Sequence, residues 1–124
     1  MDRSPEWQEK REFPRIIITL PVDFWTGDGA NIVPGIVLNM SIGGLLIQSF
    51  KDLPTGLKID IKVLFSQVLG ITDFKAVAEI IWKDIDIWEG WEGYQYGLKF
   101  VQISDEERIK LEKVLNNRST LKEI

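Results

Sequence analysis

The feature that most limits the fold is a hydrophobic period of two that restarts six times along the chain. From the first run onward, Ile16, Ile18, Leu20, Val22 and Phe24 share one face, and Arg15, Ile17, Thr19, Pro21 and Asp23 share the other. A second run covers Ile32–Leu38, with Pro34 marking an edge or a bulge, and a third covers Leu45–Phe50. Leu57, Ile59, Ile61, Val63 and Phe65 then alternate with Lys58, Asp60, Lys62 and Leu64. In the fifth run Phe74, Ala76, Ala78, Ile80 and Trp82 oppose Lys75, Val77, Glu79 and Ile81. In the sixth, Tyr94, Tyr96, Leu98 and Phe100 oppose Gln95, Gly97 and Lys99. Turn signals separate them at Thr26–Asn31, Asn39–Gly44, Lys51–Gly56, 66–73 and Trp88–Gly93. Six short strands of this kind predict a mainly β fold, an antiparallel sheet curled into a split six-stranded β-barrel, because closure removes exposed edges.

After the last strand the chain changes character. Ser104-Asp105-Glu106-Glu107 has the form of a capping box, with acids on the positive end of the helix dipole. Leu111, Val114, Leu115 and Leu121 form an apolar stripe for docking on the barrel, while Ile109 falls off it. The expected organisation is a polar, flexible lead-in over residues 1–9 containing Trp7, one domain over 10–118 and a tail over 119–124. A chain of 124 residues is long enough to bury such a core without staples.

Composition narrows the chemistry. Histidine is absent, which removes the commonest general base and transition-metal ligand, and cysteine is absent, which removes disulfides and thiolates. No calcium-loop spacing occurs, so no metal and no cofactor is expected. No apolar run approaches a membrane span and the N-terminus lacks an apolar signal core, so a cytoplasmic protein is the expectation. The net charge is −4, and the excess acid lies between residues 16 and 103, since 1–15 and 104–124 are each balanced. An acidic barrel disfavours a broad grip on DNA or RNA. Ser41 has no histidine to activate it and no carboxylate pair follows from spacing, so an enzyme is not expected.

Two polar signatures stand out against this background. Arg11-Glu12-Phe13-Pro14-Arg15 carries two guanidiniums four residues apart where the chain enters its first strand. Pro14 pushes Phe13 away from the helical region, and an extended path separates the two arginine Cα atoms by about 13 Å. Each guanidinium can fork onto a phosphate or onto the adjacent N7 and O6 acceptors of guanine. Asn39-Met40-Ser41-Ile42-Gly43-Gly44 brings an amide, a hydroxyl and a glycine pair to a turn. Standing alone, the first motif is equally a pair of surface arginines beside Glu9 and Glu12. The second is equally a Ser or Asx turn with glycines at positive φ.

Taken together and in this order, the two motifs resemble those of the PilZ domain, a bacterial receptor module for cyclic di-GMP. The resemblance extends to Ala78-Glu79-Ile80-Ile81-Trp82, to Tyr96-Gly97-Leu98-Lys99-Phe100 and to the closing helix, about residues 10–116 in all. It implies cyclic di-GMP as ligand, held by Arg11, Arg15, Asn39, Ser41, Gly43 and Gly44, with Lys10 at the position that influences whether one molecule or a stacked pair binds. Asn39 stands where the family accepts Asp or Asn. The resemblance further implies relay to a downstream protein, with ligand ordering the N-terminal arginine segment as the expected device, and a monomer or weak homodimer. The rival is a PilZ-like adaptor whose work is protein contact alone. A last feature, Trp88-Glu89-Gly90-Trp91, reads either as support for a long hairpin or barrel end, or as an aromatic contact for a partner.

Overall fold

The computed structural model describes residues 15–26, 31–65, 72–88 and 90–122, without the side chains of Trp88, Trp91 and 117–122. The expected lead-in, with Lys10 and Arg11, lies outside the described residues, as does most of the expected turn at 66–73. Six strands, β1 (Ile16–Trp25), β2 (Val33–Met40), β3 (Gly44–Ser49), β4 (Lys58–Val63), β5 (Phe74–Trp88) and β6 (Trp91–Gln102), are followed by helix α1 (Asp105–Lys122). The strands form a closed antiparallel barrel in the order β1-β2-β3-β6-β5-β4, as the alternation predicts.

The apolar face of each run is the interior. Leu20, Val22, Phe24, Val37, Ile47, Ile59, Ile61, Val63, Phe74, Ile80 and Leu98 are all buried. Each large side chain so removed from water contributes about 1.5–3 kcal/mol. Pro34 pairs with Asp23 of β1 but lies beyond the β2–β3 ladder, which starts at Ile36–Gln48, so its missing N–H costs no bond there. Its carbonyl accepts the Ser49 hydroxyl at 3.1 Å.

Two boundaries move in an instructive way. Asn39 and Met40 belong to β2 rather than to the turn, and the β5–β6 ladder extends to the Trp88–Trp91 pair, the long hairpin that the sequence offers as one reading of this stretch. A second change is one of face. The ladder shifts between Ile80 and Trp82, so Ile81 is a bulge residue, Ile80 faces in opposite Leu98, and Trp82 faces out opposite Gly97. The expectation that Trp82 continues the buried face of Ile80 is therefore corrected.

Helix α1 seals the barrel with the buried Leu111 and Val114, while Ile109 is exposed, as its place off the stripe implies. The Ser104 hydroxyl accepts the Glu107 N–H at 3.2 Å, the first half of a capping box. The Glu107 carboxylate turns elsewhere: it accepts the Lys75 N–H at 2.8 Å and the Lys110 ammonium at 3.0 Å, tying the helix start to β5.

Loop 50–56 is held from inside the barrel. The buried Tyr96 hydroxyl accepts the Leu53 N–H at 2.8 Å and donates to the Lys51 carbonyl. Burial pushes the Tyr96 phenol above its ordinary value of 10.0. Above that pH the unfolded chain loses the proton first, so stability is expected to fall as pH rises toward the folded value. Tyr96→Phe should cost about 1–3 kcal/mol at neutral pH, because both backbone groups lose their partner. The same variant should flatten the alkaline slope in a urea titration; an unchanged slope would assign it to other groups.

Candidate functional site

Arg15 immediately precedes β1, and the β1–β2 register sets Ile16 opposite Met40 and Ile17 opposite Asn39. That register brings the two sequence motifs together. The Arg15 Nη1 donates to Asn39 Oδ1 at 2.9 Å, joining residues 24 apart in the chain. With its oxygen engaged, Asn39 turns its amide N–H2 to other acceptors. The guanidinium is half-buried and thereby fixed at the barrel wall rather than free on a long arm.

The second motif is partly committed to its own turn. Ser41 is only 2% exposed, its hydroxyl accepts the Gly43 N–H at 3.1 Å, and its own N–H donates to the Gly44 carbonyl at 2.9 Å. The Gly43 carbonyl accepts the Phe100 N–H at 3.0 Å, pinning the turn to β6. Among the described residues only Gly56 and Gly90 have positive φ, so neither Gly43 nor Gly44 is required for that reason. Gly44 is required by a close approach: a Cβ there would lie 2.0 Å from the Leu98 carbonyl oxygen. Lys10 and Arg11 lie outside the described residues.

One row of outward positions crosses the sheet from this corner. Ile17 pairs with Asn39, Asn39 with Leu46, Leu46 with Gly97, and Gly97 with Trp82. Ile17 is 92% exposed at one end. At the other the Trp82 indole lies over Gly97, where a Cβ would come within 2.1 Å of its Nε1. Three strand spacings, about 14 Å along the sheet, separate the backbones of Asn39 and Trp82, and the indole reaches back over Gly97. The row thus offers a cationic fork and an amide at one end, Leu46 between, and at the other end an indole seated on Gly97. Such an arrangement can bind a flat, anionic molecule along the outer wall.

Leu46, Gly97 and Trp82 are not among the site residues expected from the sequence, although Gly97 and Trp82 fall in the stretches that carry the resemblance. Their signal was a glycine inside an alternating strand, a mark of close approach, and the double isoleucine before Trp82 that permits a bulge. The described residues contain no group of three metal-ligating side chains and no helix long and apolar enough to cross a membrane.

The fold and this wall define a small antiparallel β-barrel domain whose outer face carries a guanidinium–amide pair and an indole. The PilZ domain model matches residues 9–117, and the chain belongs to the PilZ domain family. Among solved structures it is similar to the PilZ domain of YcgR from Escherichia coli, determined with c-di-GMP, at TM-score 0.67 and 16% identity. That alignment covers 93% of this chain and 99% of the other. It is also similar to the Bacillus subtilis inhibitor of motility MotI/DgrA, at TM-score 0.71 and 16% identity, covering 91% of this chain but only 52% of that protein. The PilZ domain of CeSA from a cellulose-synthesizing bacterium gives TM-score 0.60 and 19% identity, with 86% and 98% covered. No curated protein matches the sequence.

Proposed function

We propose that this domain is a non-enzymatic receptor for cyclic di-GMP that relays ligand binding to another protein. The observation that carries the reading is the Arg15–Asn39 contact at 2.9 Å, which joins the two motifs on one outer wall. In this reading the Arg15 guanidinium takes a phosphate or the O6/N7 edge of a guanine, and the Asn39 N–H2 donates to a second acceptor beside it. Trp82, seated over Gly97, supplies a stacking face for a base. Arg11, with Lys10 before it, closes over the ligand from the N-terminal side. Ser41 and the glycines act chiefly by shaping the turn that follows Asn39.

A ligand that touches both Arg11 and the barrel wall must fix the intervening chain, at about 1–2 kcal/mol per residue ordered. Contacts made only in the bound state offset that cost, so binding and ordering are linked, and the ordered segment with Trp7 becomes the signal. Titration calorimetry with cyclic di-GMP tests the binding, and amide exchange over residues 5–15 tests the ordering. Saturable heat with rising protection is expected. No heat would remove the receptor reading in favour of a protein-contact adaptor; heat with unchanged exchange would remove the ordering step alone. Cyclic di-AMP, which presents an amino donor where guanine has O6, should compete far more weakly. Equal displacement by the two would reduce Arg15 to a phosphate contact.

A further inference from the structure

Beyond the barrel rim the β5–β6 hairpin continues without a neighbouring strand. β4 leaves β5 at the Lys58–Glu79 pair and the Leu57–Ile80 bond, and β3 leaves β6 at Ser49–Tyr94. The hairpin's own ladder runs on from Asp84–Gln95 to Trp88–Trp91. Along Ile85–Trp88, therefore, β5 has no strand on its other side among the described residues. Such an edge presents main-chain N–H and C=O groups to any extended chain that approaches. The Ile85 N–H is held at 2.9 Å by the Asp84 carboxylate, which an incoming strand displaces.

The side chains along this edge have a definite chemistry. Residues 84–93 contain Asp84, Asp86, Glu89 and Glu92 and no lysine or arginine. Lys83 at the base is already matched, bridging to Asp52 and lying 5.2 Å from the Tyr94 ring centre. Ile85 and Ile87 pair with Tyr94 and Glu92, and so continue the inner face of the barrel past its rim, where the described residues form no opposite wall. They are 61% and 63% exposed. Asp86, on the other face, is held upright by the Gln48 and Gln95 amides at 2.6 and 3.0 Å.

We propose that this overhang docks an extended, basic segment of a partner protein, added as a strand along the free edge of β5. Alternate apolar residues of the segment cover Ile85 and Ile87, and its lysines or arginines face Asp84 and Asp86. Main-chain bonds supply affinity that two isoleucines alone do not. A second copy of this chain fits badly, since antiparallel self-pairing sets carboxylates against carboxylates or leaves each Asp opposite an apolar neighbour. The proposal does not depend on nucleotide binding.

The test uses the full chain and a labelled seven-residue synthetic peptide of alternating lysine and valine, with a glutamate–valine peptide as control. Anisotropy should show saturable binding of the lysine peptide only. The double variant Ile85→Thr, Ile87→Thr keeps β-branched residues and so keeps the strand, yet should weaken binding by about tenfold or more. Asp84→Asn should weaken it too, and amide shifts should concentrate on residues 83–88. Equal binding of both peptides, or parental affinity in the isoleucine variant with an unchanged melting curve, would overturn the proposal. So would sedimentation showing a dimer of the chain that the isoleucine variant abolishes, which would give the face to a second copy.

Discussion

Arg15→Ala is expected to weaken cyclic di-GMP by roughly 5- to 150-fold, the loss of one charge-assisted, two-pronged contact worth about 1–3 kcal/mol. The effect on folding should be small. The Arg15–Asn39 bond lies at the barrel wall, half-buried, and a hydrogen bond of this kind contributes on the order of 1 kcal/mol to stability. Arg15→Lys separates charge from geometry. Lysine keeps the positive charge but loses the planar fork, so its affinity should fall between those of the parent and the alanine variant. If lysine bound like arginine, the contact would be a simple phosphate attraction, and binding should then fall steeply with salt. Arg11→Ala should give a loss of similar size. A parental isotherm for Arg15→Ala, with the melting temperature unchanged, would dismiss the residue from the site.

The alternation along the chain carried the barrel because each buried face is written in single residues at a spacing of two. Ile16, Leu20, Val22 and Phe24, or Ile59, Ile61 and Val63, need no tertiary information to be assigned. The site was legible only where it was local. Arg15 and Asn39 announce themselves by type and order, but their contact depends on the β1–β2 register, which no short stretch of sequence encodes. Trp82 was misplaced for a sharper reason. A single bulge at Ile81 inverts the parity of everything after it, sending Trp82 out over Gly97 and making Ile85 and Ile87 the extension of the inner face. Asn39 was assigned to a turn because asparagine favours turns, yet pairing with Ile17 on one side and Leu46 on the other holds it in β2. Ser41 likewise reads as a ligand residue by motif and as a turn residue by its buried contact to Gly43.

Two glycines on neighbouring rows should give opposite phenotypes when each gains one methyl group. In Gly44→Ala the new Cβ would lie 2.0 Å from the Leu98 carbonyl oxygen, which is backbone of the paired strand and cannot swing away. The β3–β6 ladder must part there, beneath the turn that follows Asn39. The cost is expected at about 3 kcal/mol or more, with a fall in melting temperature on the order of 10 °C. In Gly97→Ala the obstacle, 2.1 Å from the new Cβ, is the Trp82 indole, a side chain that can rotate off its seat. Stability should drop by about 1 kcal/mol at most, since the strand pairing survives. Cyclic di-GMP affinity should nevertheless fall by roughly 5- to 150-fold, because a displaced indole no longer offers the stacking worth about 1–3 kcal/mol per base. Thermal melts and calorimetry on the two variants separate the cases. A Gly97→Ala protein that keeps the parental affinity while its tryptophan emission shifts would show that Trp82 moves without consequence. The ligand would then lie at the Arg15–Asn39 corner alone, and the far end of the outer row would have no part in recognition.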